Sequence, residues 1–121
     1  MIKVDVYDTI LQIKIFKTYN DLIKALKKYY KKFNIDHETS EYCEAIIFFD
    51  DNNSNKAFLF IVEECISYNT ISHEMFHLGN RILLYKGMTL KIEDDEEHAI
   101  LNAFLNEKVI KYMNKKGYII K

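Results

Sequence analysis

Hydrophobic and polar residues alternate in the first part of the chain. Residues 2–8 (IKVDVYD) and 11–16 (LQIKIF) both follow this two-residue period, which is typical of a strand with one buried face. A turn near Asp8 and Thr9 separates them. The pattern therefore predicts a β-hairpin at the start of the chain.

Two later segments are apolar without alternation. Residues 42–51 (YCEAIIFFDD) and 56–64 (KAFLFIVEE) flank a polar sequence, DNNSN. Polar residues of this kind favour a turn, and continuous hydrophobicity is typical of strands that are covered on both faces. They predict a second hairpin at the centre of the sheet.

Three segments show helical spacing instead. Asn20 is the predicted N-cap of a helix over residues 21–33, which has an apolar stripe and a lysine-rich face. A second helix is predicted over about residues 70–86, with Asn69 or Thr70 as its N-cap and Gly87 as its C-terminal stop. The sequence DDEEHAILNAFLNEKVIKYM then predicts a last helix.

The order of these elements defines a fold class. Two strands, a helix, two strands and two helices predict one α+β domain over residues 1–121, with a small, mostly antiparallel sheet backed by the N-terminal helix. The helix over about residues 70–86 lies on one face of this sheet in the predicted arrangement, and the last helix packs against it.

The second helix also carries the most specific chemistry in the chain. Residues 73–77 read HEMFH, an instance of HExxH. On a helix, His73 and His77 project from one face and can bind one Zn²⁺, while Glu74 beside them can act as a general base. The alternative is an amphipathic helix whose two histidines are ordinary surface residues.

A catalytic zinc usually has a third protein ligand. The pattern HExxHxxGxxH is not followed, because Leu83 stands where a third histidine is needed. The other common source is a glutamate on the next helix, and an acidic cluster, residues 93–97, opens that helix, with Glu96 19 residues after His77. The same acids are also typical of a helix N-terminus, where Asp94 and Glu97 would form a capping pair.

The sequence EEHA, with Ala99 three residues after Glu96, resembles the E-x-x-A element of the gluzincin peptidases. The resemblance implies Glu96 as the third zinc ligand beside His73 and His77, and Glu74 as the base. It also implies a close approach of the two helices at Ala99 and at the following Ala103. Glu97 and His98 are the competing choices for the ligand.

Residues 57–114 as a whole resemble the small zincin-like metallopeptidase proteins of tailed phages of gut bacteria, including crAss-like phages. The resemblance implies a zinc peptidase that acts on a peptide or protein, with the strand at residues 57–64 guiding an extended substrate. The alternative is a zincin-fold phage protein with a binding, assembly or virion-structural role and no turnover. His98, Tyr85 or Tyr112 could stabilise an oxyanion.

Charge and composition indicate which partners and which cell compartment to expect. The chain has 17 Lys and Arg against 18 Asp and Glu, so no net field favours nucleic acid or a membrane surface. Neither a membrane span nor a signal peptide is expected from the sequence, which indicates a cytoplasmic protein, in the host cell if it is phage-encoded. Cys43 and Cys65 are expected to be buried thiols, and His37 is not expected to bind metal.

Overall fold

Two hairpins and three helices make up the part of the chain that the structure describes. The computed structural model describes residues 2–4, 8–33, 45–50, 53–87 and 95–121. In chain order, the elements are β1 (Ile2–Val4), β2 (Thr9–Phe16), α1 (Tyr19–Phe33), β3 (Ala45–Asp50), β4 (Asn53–Val62), a 3₁₀ turn (Glu63–Cys65), α2 (Tyr68–Tyr85) and α3 (Asp95–Lys115). The predicted α+β class and order of elements are confirmed.

The strands form one sheet in the order β1-β2-β4-β3. β1 pairs with β2 and β3 pairs with β4, both antiparallel, so both predicted hairpins are present. β2 and β4 are parallel, with Ile13 opposite Leu59. β4 is therefore an inner strand with a neighbour on each side.

Both faces of β4 are buried, as its continuous hydrophobicity predicts. Ala57, Leu59 and Ile61 belong to the core cluster that includes residues of α2 and α3. Phe58 and Phe60 point to the other face, because successive side chains of a strand alternate, and belong to the cluster that includes residues of α1. Helices thus cover the sheet on both sides.

Aromatic rings fill the space between the sheet and α1. The rings of Phe48 and Phe58 stack on neighbouring strands at 5.1 Å. Tyr29 of α1 lies edge-on to Phe60 at 5.4 Å, and the ammonium of Lys14 lies 5.3 Å from the centre of the Tyr29 ring. This cluster holds α1 against β2, β3 and β4, far from the HEMFH segment.

The helix N-termini differ from the predicted ones by a few residues. Thr18, not Asn20, caps α1, since its Oγ1 accepts a hydrogen bond from the backbone of Asp21 at 3.2 Å. Ser67, not Asn69 or Thr70, caps α2, with its Oγ 3.0 Å from the Thr70 backbone nitrogen. Serine, threonine and asparagine are all good N-caps, and each helix start has two or three of them within a few residues, so the sequence alone leaves the choice open.

Replacing Ser67 by Ala is expected to lower the unfolding free energy by about 1 kcal/mol, because the Thr70 N–H loses its acceptor. Urea unfolding followed by circular dichroism measures this. Ser72→Ala is the matched control: Ser72 is exposed on the same helix, so its replacement should change the stability little. Equal stabilities of the two variants would show that Ser67 does not act as a cap.

α2 and α3 are in contact at a glycine of α2. A Cβ on Gly79 would lie 3.6 Å from Leu105 and 3.8 Å from Leu101. Ala99 and Ala103, the predicted contact strip on α3, are exposed. The predicted packing of the two helices is confirmed, but the small residue that allows it belongs to α2.

The C-terminal half of the chain shows two further features. The last residues dock on the domain, since Lys121 exchanges backbone hydrogen bonds with Ile66 and Tyr68 at 3.1 and 3.2 Å. Gly87 has φ 81° beyond the end of α2, as its predicted role as a helix stop requires.

Among the helices described, none is both long and apolar enough to cross a membrane.

Candidate metal centre

His73 and His77 lie on one exposed face of α2, as their spacing predicts. Their Nε2 atoms are 3.2 Å apart, and their ring centres are 4.8 Å apart. Both side chains are exposed, so an ion could reach them from solvent. The helix alone brings the two nitrogens together, because residues four apart share a face.

The distance between these nitrogens fits a shared zinc ion. Two imidazole nitrogens at about 2.0–2.1 Å from a tetrahedral zinc lie about 3.3–3.4 Å from each other. The 3.2 Å separation of the Nε2 atoms is close to this value. A hydrogen bond between a donor and an acceptor tautomer has a similar length, so the geometry suits metal binding and does not require it.

Glu74 points towards the sheet and is buried. Only 9% of its surface is exposed, and the backbone amide of Ile47 in β3 stabilises the ionised form of its carboxylate. Burial raises the pKa of Glu74, while the positive charges of His73 and Arg81 and the Ile47 amide lower it, with burial the largest effect. A carboxyl with a raised pKa is closer to neutrality, which suits a group that accepts and returns a proton.

The pKa of His77 is shifted in the opposite direction. Burial lowers this pKa, and the charges of His73 and Arg81 lower it further. The neutral imidazole, which is the form that binds metal, is therefore favoured at His77. Arg81 was not a predicted site residue, although its position four residues after His77 already indicates the same side of the helix.

Glu96, the predicted third ligand, does not join the histidine pair in this conformation. It is exposed in the first turn of α3 and precedes Leu105, which packs on Gly79, by nine residues, or about 180° around the helix. In the described ranges, no three His, Cys, Asp or Glu side chains form a group that could hold a metal. Its role as a ligand stays a prediction.

The alternative candidates for the third ligand and for the oxyanion donor lie in different environments. Glu97 is exposed, whereas His98 is 9% exposed and lines a pocket between α2 and α3. Of the other two candidate oxyanion donors, Tyr85 is 56% exposed and lies edge-on to Phe49 at 5.3 Å, while Tyr112 is half-buried against the core. None of these positions by itself selects an oxyanion donor.

The strand predicted to guide a substrate is not at an edge of the sheet. Residues 57–62 belong to β4, which pairs with β2 and β3 on its two sides. β3 is the terminal strand of the sheet order, and it is the strand whose Ile47 reaches Glu74. The expected open edge at residues 57–64, which the resemblance implied, is therefore wrong, because β4 is paired on both sides.

Several predicted features lie outside the described residues. They are His37, which is not expected to bind metal, the acids Glu93 and Asp94 of the cluster, and Cys43. Cys65 lies within the described residues; it is partly buried and packs against the aromatic cluster between α1 and the sheet.

No protein-family model, curated protein or solved structure matches this chain. The resemblance to gluzincin peptidases and to the phage proteins therefore rests on the sequence motifs.

Replacing Glu74 by Gln is expected to change how the stability of the metal-free chain depends on pH. Because burial raises the Glu74 pKa above 4.5, the folded chain keeps a proton that the unfolded chain loses as the pH rises past this value. Protonated Glu74 therefore contributes its full stabilisation of the folded state below pH 4.5. This stabilisation is lost as the pH rises through the raised pKa of Glu74. Because Gln cannot titrate, the Glu74→Gln variant does not lose stability in this way as the pH rises.

Urea unfolding in EDTA, from about pH 4 to pH 8, measures the effect. The stability of wild type relative to Glu74→Gln should fall across this range. Glu107→Gln is the control, because the carboxylate of Glu107 is exposed and its Lys111 partner lowers its pKa. Parallel curves for wild type and Glu74→Gln would contradict the expected shift.

Proposed function

We propose that this protein is a zinc-dependent peptidase of the gluzincin type, with His73 and His77 as metal ligands and Glu74 as general base. The observation that carries the proposal is the 3.2 Å separation of the two Nε2 atoms on one helix face. Glu74, between the two histidines in sequence, is buried beside them and has a raised pKa. Glu96 remains the proposed third ligand, from the resemblance.

Each residue has a separate role in the proposed reaction. When bound, zinc supplies a Lewis acid that acidifies water and polarises a carbonyl group. The Nε2 atoms of His73 and His77 would hold the ion, and the lowered pKa of His77 keeps its lone pair available for binding. The carboxylate of Glu74 takes a proton from the attacking water and delivers it to the amine of the leaving peptide.

The neighbouring strand supports an extended peptide as the substrate. Among the described residues, β3 is the last strand of the sheet order, and α2 packs beside it, with Ile47 of β3 in the same core cluster as Ile71 and Met75 of α2. A peptide that adds to a sheet is held by main-chain hydrogen bonds, which place its carbonyl groups in a fixed register. In the proposal, β3 thus aligns the substrate along the helix that carries the histidines.

A binding or assembly role without turnover is the second candidate. It requires only the exposed histidine pair on α2 and neither a third metal ligand nor a general base. In that role, the histidine pair would hold a metal weakly or remain part of an interaction surface.

Zinc content and peptide hydrolysis test the proposal together. The full chain, purified without a metal-binding tag, should contain about one zinc per chain by elemental analysis. It should also cleave members of a quenched fluorescent peptide library, and EDTA should stop this cleavage. Zinc without cleavage would favour the binding role, and no zinc would remove the support for both zinc-based functions.

A further inference from the structure

Residues 118–121, called the C-terminal segment below, run from the end of α3 back to the start of α2. Gly117 has φ 84° just beyond α3, and the amide of Tyr118 donates a hydrogen bond to the carbonyl of Met113 at 3.0 Å. This combination is typical of a helix that ends at a glycine. It turns the chain away from the axis of α3.

The side chains of the C-terminal segment alternate between the core and solvent. Tyr118 and Ile120 are partly buried against the core cluster that contains Ile66 and Ile71. Ile119, between them, is 81% exposed. A two-residue period is that of an extended chain, so the segment lies along the domain with one face packed against it.

Lys121 binds the connection between β4 and α2 through three hydrogen bonds. Its backbone N–H donates to the carbonyl of Ile66 at 3.1 Å, and its own carbonyl accepts from the amide of Tyr68 at 3.2 Å. Its side-chain ammonium donates to the carbonyl of Glu64 in the 3₁₀ turn at 2.8 Å. One residue thus contacts the end of the sheet, the link and the first residue of α2.

The hydrogen bond to Tyr68 satisfies a backbone group that a helix cannot satisfy by itself. The first four N–H groups of an α-helix have no acceptor within the helix. At α2, Ser67 supplies acceptors for Thr70, through its Oγ, and for Ile71, through its carbonyl. Lys121 supplies the acceptor for Tyr68, so the first turn is held by a local cap and by a distant segment together.

The start of α2 lies close to the proposed metal centre. His73 follows Tyr68 by five residues, which is about 7.5 Å along the helix axis. Helix ends open more readily than helix centres, and opening of the first turns would move His73 before His77. The 3.2 Å separation of the two Nε2 atoms therefore depends on an ordered start of α2.

We propose that Lys121 is a positioning residue for the metal centre. Through its hydrogen bonds to Ile66 and Tyr68 it holds the first turns of α2, and through them it holds His73. The hold on α2 needs no metal. Its consequence for zinc binding rests on the proposed function.

Two variants of Lys121 separate its backbone from its side chain. Lys121→Pro removes the N–H that binds the Ile66 carbonyl, and proline tolerates the extended backbone expected for the residue before it. Lys121→Ala is the matched control, because it keeps both backbone hydrogen bonds and loses only the ammonium contact with Glu64. Each variant is made in the full chain.

Hydrogen exchange of the ¹⁵N-labelled variants in EDTA measures the hold on α2. The amides of Tyr68, Thr70 and Ile71 should exchange about tenfold faster in the proline variant than in the alanine variant, as expected for a lost backbone hydrogen bond. The amides of Ile82 and Leu83, in the second half of α2, should exchange equally in both. Equal rates at all five amides would overturn the proposal, and so would an equal acceleration at all five, which indicates a general loss of stability.

A second pair of variants tests the packing of the C-terminal segment without changing its hydrogen bonds. Ile120→Ala removes a side chain that packs against the core and should speed exchange at the start of α2 about threefold to tenfold. Ile119→Ala removes an exposed side chain and should leave these rates unchanged. Equal rates in the two variants would contradict the docking of this segment.

Zinc affinity tests the link to the proposed function. Lys121→Pro should bind zinc about threefold more weakly than Lys121→Ala, because outer contacts that orient a ligand contribute to metal affinity. Faster exchange at the start of α2 with equal zinc affinities would contradict the positioning role. A wild-type chain that binds no zinc would contradict the proposed function, and the exchange rates would still decide whether Lys121 holds α2.

Discussion

Replacement of Glu74 by Gln is expected to abolish peptide hydrolysis while zinc stays bound. Gln has nearly the same shape as Glu and cannot accept the proton of the attacking water, so kcat should fall by about 10²–10⁴-fold. Glu74 is not one of the proposed ligands, and the Nε2 atoms of His73 and His77 keep their positions on α2. Elemental analysis and a fluorescent peptide assay on the same samples measure both quantities.

The control for this experiment is Glu107→Gln, since Glu107 is exposed on α3 and paired with Lys111. This variant should retain both zinc and turnover. Unfolding curves of Glu74→Gln exclude a general loss of the fold. Full hydrolysis by zinc-loaded Glu74→Gln would show that another group, or no protein group, accepts the proton.

Replacement of His77 by Ala is expected to reduce the zinc content from about one ion per chain to background. The ion would lose one of its three proposed protein ligands, and His73 with Glu96 would hold it far more weakly than the complete set. His73→Ala should have the same effect, because the two Nε2 atoms face a common point 3.2 Å apart. Both histidines are exposed, so the fold should survive either change.

His37→Ala is the matched control, as it removes a histidine that is not expected to bind metal. Single alanine variants of Glu93, Asp94, Asp95, Glu96 and Glu97 then identify the third ligand by which of them loses zinc. Loss only in Glu96→Ala would support the resemblance to the gluzincins. Retention of zinc in His77→Ala would contradict the proposed centre, and retention in all five acid variants would place the third ligand elsewhere.

The sequence was sufficient for features that depend on neighbours along the chain. Alternation and turn residues predicted both hairpins, and the continuous apolar run of β4 predicted a strand that is covered on both faces. The proximity of His73 and His77 also follows from local structure alone. Residues four apart on a helix lie on the same face regardless of the tertiary contacts of the helix. The predicted helix N-termini were less accurate, since Thr18 and Ser67 have other residues that can act as N-caps close by in the sequence.

Tertiary structure decided everything that depends on distant segments. The parallel pairing of β2 with β4 made β4 an inner strand and left β3 at the end of the sheet beside Glu74, which a hydrophobic pattern cannot distinguish because both strands are apolar. The rotation of α3 about its axis turned Glu96 outward and His98 inward. The burial of Leu101, Leu105 and Val109 sets this rotation, because removing these apolar side chains from water outweighs the placement of any single carboxylate in the first turn.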